Sequence, residues 1–100
     1  MNSAKRNFLR KRAHSLKPVV MVGKQGVDER VVKASFEALL AHELIKVKFQ
    51  DFHDEEDELA LSLAQSTASE LVAVIGHIAI LFKQHDDPKK QLIHLPKHLK

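Results

Sequence analysis

Pro18-Val19-Val20-Met21-Val22-Gly23-Lys24-Gln25-Gly26 is an apolar run of strand type that ends in a Gly-x-x-Gly loop. A helix pattern opens just beyond it, near Asp28. Strand, glycine-framed loop and helix N-terminus together make a place where backbone N–H groups can face a phosphate. Neither glycine carries a side chain that would hold a phosphodiester away. The four-residue pattern alone is weak, and Asp28 and Glu29 count against it, because they already occupy the positive end of the helix. Four apolar residues in a row, Val19 to Val22, predict a strand buried on both faces.

Upstream, Ser3 is a candidate N-cap for a helix reaching about His14 or Ser15, before Pro18 stops it. Phe8, Leu9, Ala13 and Leu16 form its apolar arc, and Lys5 and Arg12 fall inside that arc, where their stems can pack. Arg6, Arg10, His14 and Lys17 stack on a neighbouring face. Downstream, Val32, Phe36, Leu39 and Leu40 predict a second helix over 28–41. Leu44 to Phe49 alternates as a strand, with Ile45, Val47 and Phe49 on one face and Lys46 and Lys48 on the other. A third helix is expected over 54–68, its inner stripe being Leu59, Ala60, Leu63, Ala64 and Thr67. Two β-rich runs, 71–75 and 78–82, flank Gly76-His77 and read as a hairpin. The order α-β-α-β-α-β-β predicts an α/β fold with a four-stranded mixed sheet: parallel crossovers first, an antiparallel hairpin last. Residues 1–83 are expected to form a single domain and 84–100 a polar, partly ordered tail, in which Leu92, Ile93 and Leu95 could dock.

With 100 residues and 44% hydrophobic content, the chain has enough apolar material for one modest core. Cysteine is absent, which excludes disulfides and thiolate metal sites. The run from Leu71 to Phe82, broken by Gly76 and His77, is too short to span a bilayer, and the first thirty residues show no apolar signal-type stretch. A cytoplasmic protein without membrane attachment is the expectation. The net charge is only +3, but the charges are segregated: seven basic residues and no acid from 1 to 27, six acids and no Lys or Arg from 51 to 58. That split implies a side facing a polyanion and a solvated back. The acid run suits capping of the third helix and lacks the glycine-centred oxygen pattern of a calcium loop. The seven histidines, His14, His42, His53, His77, His85, His94 and His98, are scattered over helix ends, turns and tail, and none has zinc-type spacing. No catalytic constellation, metal site or cofactor motif is expected.

Taken together, Leu16-Lys17-Pro18-Val19-Val20, Val22-Gly23-Lys24-Gln25-Gly26, His42-Glu43-Leu44-Ile45-Lys46-Val47-Lys48 and Val74-Ile75-Gly76, with the closing Leu92-Ile93-His94-Leu95-Pro96, resemble the bacterial YhbY family, the stand-alone form of the CRM (chloroplast RNA splicing and ribosome maturation) domain. The resemblance implies a fold similar to the C-terminal domain of translation initiation factor 3, with an extra N-terminal helix. It also implies RNA binding and, in bacteria, association with precursors of the large ribosomal subunit. The family's glycine loop maps onto Gly23, Lys24, Gln25 and Gly26, and its lysines onto Lys17, Lys46 and Lys48.

The combined expectation is a non-catalytic, monomeric module acting in large-subunit assembly. Arg6, Arg10, Lys17, Lys46 and Lys48 would neutralise phosphates of ribosomal RNA while the loop clamps its backbone. Trp and Tyr are absent and all five Phe belong to or border packing stripes, which argues against a base-stacking platform. An adaptor that binds an acidic protein through the same basic surface is the alternative.

Overall fold

The computed structural model describes residues 1–99. Helix α1 (Ser3–Ala13) leads into strand β1 (Val20–Val22), helix α2 (Glu29–His42), strand β2 (Leu44–Phe49), helix α3 (Glu56–Ser66) and the hairpin β3 (Glu70–Ile75) and β4 (Ile78–Phe82). Short 3-10 turns precede α3 and punctuate the tail. The sheet order is β1-β2-β4-β3. β1 and β2 are parallel, and β4 pairs antiparallel with both β2 and β3. The expected mixed α/β sheet is therefore present, with the last strand inserted between the second and third.

Local chemistry sets the element ends. Asn2, not Ser3, caps α1: its side chain accepts from the Lys5 N–H at 2.8 Å, so Ser3 is the first helical residue. Arg10, Lys11 and Arg12 crowd the last turn, where cations suit the negative end of the helix dipole. Gly76 takes φ +59° as the first residue of the hairpin turn, a conformation glycine adopts without strain.

Both faces of the sheet are apolar, and each has its own core. Helices α2 and α3 cover one face, burying Val20, Val22, Ile45, Val47, Phe49, Ala79 and Leu81 against Leu39, Ala60, Leu63 and Ala64. Helix α1 and the tail cover part of the other, where Leu9, Ala13, Leu44, Val72, Ile80, Phe82, Ile93 and Leu95 pack together. A register shift between Leu71 and Ala73 turns both Val72 and Ala73 toward α1, the local effect of a β-bulge.

Two further expectations need correction. β1 lies at the sheet edge, so Val20 and Val22 are buried while Val19 and Met21 are 52% and 46% exposed. An edge strand has no neighbour on one side and, here, no helix over its second face. Helix α2 is also rotated from its expected stripe: Ser35 and Leu39 face the sheet, and Phe36 and Leu40 are exposed.

Glu43 anchors the tail. It ends α2 with φ +63° and is 1% exposed. Its carboxylate accepts from the N–H groups of His85 at 2.6 Å and of Leu92 and Ile93 at 2.7 Å. Its carbonyl accepts from Lys83 N–H at 2.8 Å. These bonds carry the chain back over the second core, where Ile93 and Leu95 are buried. Glu43→Ala, which orphans those donors, should lower the unfolding free energy by about 2–3 kcal/mol in denaturant titrations. Amide exchange at 85, 92 and 93 should accelerate, while β2 amides keep their relative protection. The Ser35 hydroxyl is fully buried with no hydrogen-bond partner. Ser35→Ala should therefore leave stability unchanged or raise it by about 1 kcal/mol, and a loss of that size would contradict the packing described.

Candidate nucleic-acid interface

The Gly23–Gly26 loop is a tight turn closed by Gly26 N–H to the Gly23 carbonyl at 3.0 Å. Lys24 and Gln25 stand exposed at its tip. Gly26 has φ +69°, and the ring of Phe52 lies 3.6 Å from where a Cβ on Gly26 would be. The loop thus rests on an aromatic support. At Gly23 an added Cβ would meet nothing within 4 Å, so that side is open to a ligand backbone. A left-handed residue closing such a turn belongs to the geometries that gather N–H groups around anions.

Asp28 occupies the start of α2, as its position in the sequence suggested. Its carboxylate accepts from Val31 N–H at 3.1 Å and from the Arg30 guanidinium at 3.1 Å. The Val31 N–H, and then Arg30, hold its pKa below the ordinary 3.8. The cap is therefore fully formed above that value and is lost only as pH falls through the lower folded one. Because Arg30 pairs with the carboxylate, Asp28 repels an incoming phosphate less than its sequence position implied.

The sheet continues the surface. Met21, Lys48, Ile78 and Ile75 are successive register partners across β1, β2, β4 and β3, so their side chains line one face in a single row. Met21, Lys48 and Ile75 are exposed and Ile78 is half-buried. The next row, with Lys46, Ile80 and Ala73, lies by α1. A groove at that boundary is lined by Arg10, His14, Lys46, Ile75, Ile78 and Ile80.

The basic residues divide between several places. Arg6, Arg10 and His14 are exposed on α1. Lys46 is half-buried and its ammonium donates to the His14 carbonyl at 3.3 Å, tying β2 to the end of α1, whereas Lys48 is exposed. Lys17 does not continue the Arg6–Arg10–His14 stripe, because α1 ends at Ala13. It lines a separate apolar depression with Arg12, Leu16, Val19, His42 and Leu92. Lys5 is occupied, 3.3 Å from Glu70 and over the Phe82 ring.

The exposed apolar members of the row were not anticipated. A run of apolar residues reads as double-sided burial unless the edge position of β1 is known. Nor are all the histidines scattered: the fold brings His53 and His77 together beside Glu56. The only sequence hint was the His53-x-x-Glu56 spacing at the head of α3, since His77 joins them from a remote turn.

The comparisons agree with this architecture. The probable RNA-binding protein YqeI of Bacillus subtilis is 37% identical over 97 residues, covering 96% of this chain and 99% of its own. An RNA-binding protein of Haemophilus influenzae is 37% identical over 93 residues, covering 92% and 94%. The solution structure of a Staphylococcus aureus protein, SAV1595, superposes with a TM-score of 0.79 at 34% identity, covering 96% of this chain and 99% of that one. Residues 1–83 match the model of the CRS1 / YhbY (CRM) domain, and the chain belongs to that family.

Proposed function

We propose that this protein is a non-catalytic RNA-binding module that docks on structured ribosomal RNA during assembly of the large ribosomal subunit. One observation carries the reading. A glycine loop open to a ligand backbone runs directly into an uncovered sheet row in which an exposed lysine is set among apolar side chains, with Arg10 and His14 along its border. Cations supply the phosphate attraction, the loop admits the sugar–phosphate backbone, and Met21, Ile75 and Ile78 offer a dry surface to ribose and base edges. With no Trp or Tyr to stack on, recognition rests on shape and phosphate spacing more than on sequence. The relatives named as RNA-binding proteins support the same reading.

Asp54 to Glu58 sit on the opening turns before and at the start of α3, where the helix dipole favours them, and Glu56 reaches His77 in the turn between Ile75 and Ile78.

Binding to a large-subunit rRNA fragment should weaken linearly in log affinity against log salt. Lys24→Glu should flatten that slope by about 0.7 to 0.9 for each phosphate the variant no longer neutralises. An unchanged slope and affinity would remove the loop from the interface. Absence of RNA binding by the wild type at low salt would sink the proposal and leave an acidic protein as the better partner.

Lys48→Glu should reduce affinity roughly fivefold to tenfold near 0.1 M salt. Lys17→Glu, on its separate depression, should have a smaller effect in the same filter-binding or fluorescence assay. Equal losses would mean that RNA also covers the side of α1 facing the tail.

A further inference from the structure

His53, Glu56 and His77 come from a 3-10 turn, the first residue of α3 and the β3–β4 turn. One ligand atom from each lies within 4.8 Å of the others. Glu56 is 7% exposed, an unusual setting for a carboxylate. Its partner is an imidazole: His77 Nδ1 stands 2.7 Å from Glu56 Oε2. Among the described residues no Lys or Arg forms an ion pair with it.

The second histidine is oriented from outside the cluster. His53 Nε2 lies 3.0 Å from the Phe49 carbonyl oxygen. A carbonyl only accepts, so Nε2 carries a proton, and in the neutral ring Nδ1 keeps its lone pair. This is the arrangement that fixes the tautomer and direction of metal-binding histidines: one nitrogen donating to a backbone carbonyl, the other free to coordinate. The two rings stack at 3.7 Å with 11° between their planes and are open to solvent.

We propose that His53 Nδ1, His77 Nδ1 and a Glu56 carboxylate oxygen form a binding site for one divalent transition-metal ion of zinc type, with water completing the shell. Two imidazoles and a carboxylate suit a borderline ion and not calcium or magnesium, which take oxygen ligands. Asp54, Glu55, Asp57 and Glu58 surround the site in sequence and make the local potential attractive to a cation. Parallel imidazoles do not aim their in-plane lone pairs at one point. Loading therefore unstacks the rings and draws the three donors in, since zinc lies about 2.0–2.2 Å from each. The proton on His77 Nδ1, now shared with Glu56, moves through solvent to Nε2, leaving a neutral imidazole ligand.

The site is tested with zinc and no RNA, so its outcome is distinguishable from that of the functional proposal. Zinc chloride is titrated calorimetrically into the full chain in chelator-free buffer. The expected result is one ion per chain, weakened at least about tenfold by His77→Lys in the exposed turn and by Glu56→Gln. A His94→Gln/His98→Gln double variant should bind as the wild type does. Nitrogen-15 spectra of the imidazoles should show His53 and His77 shifting with zinc. No zinc uptake, uptake undiminished in His77→Lys, or shifts confined to other histidines would each overturn the site.

Discussion

A four-stranded sheet with apolar side chains on both faces must be covered on both, and this chain has too few elements to cover the second face completely. Helices α2 and α3 close the first. On the second, an 11-residue helix and a short tail reach Leu44, Val72, Ile80 and Phe82, and stop there. The row from Met21 to Ile75 is what remains. The open strip, the boundary groove and their position beside the glycine loop all follow from that shortage of cover.

Glu43 makes the partial cover possible. A buried carboxylate is costly unless its charge is satisfied, and here three backbone N–H groups from the tail satisfy it. The same residue ends α2 at a positive φ, so one position turns the chain into β2 and fixes where the tail crosses. Helix α1 is held to the sheet at its far end by Lys46 on the His14 carbonyl and near its start by Lys5 on Glu70. Lys46, expected from the sequence to neutralise a phosphate, thus serves partly as a fastener, as does Lys5.

How far the sequence could be read depended on whether a feature was local. Alternation in 44–49, the 59–67 stripe and the Gly76 turn are set by near neighbours, and the fold followed from them together with crossover rules. The edge position of β1 was not legible, because a three-residue strand carries the same apolar letters whether one side or two are covered. Rotation of α2 was hidden for a related reason: Phe36 and Leu40 fit the helical period but sit a little beyond the arc that meets the sheet. At the candidate interface, the glycine loop and Lys48 were readable, while the displacement of Lys17 followed from where α1 ends. The tail looked polar and loose, since nothing near residue 90 announces that Glu43 will accept its N–H groups. A helix and a strand separate His77 from His53 and Glu56, and only the folded chain brings the three into one place.

The central claim is that RNA meets the open sheet row and the glycine loop. The most direct measurement is an amide chemical-shift map of the nitrogen-15-labelled protein titrated with a structured large-subunit rRNA fragment. Shifts should concentrate at 21–26, at Lys48, at 75–78 and along α1 from Arg10 to His14. Shifts centred instead on the outer faces of α2 and α3, around Phe36, Leu40 and Leu61, would contradict it.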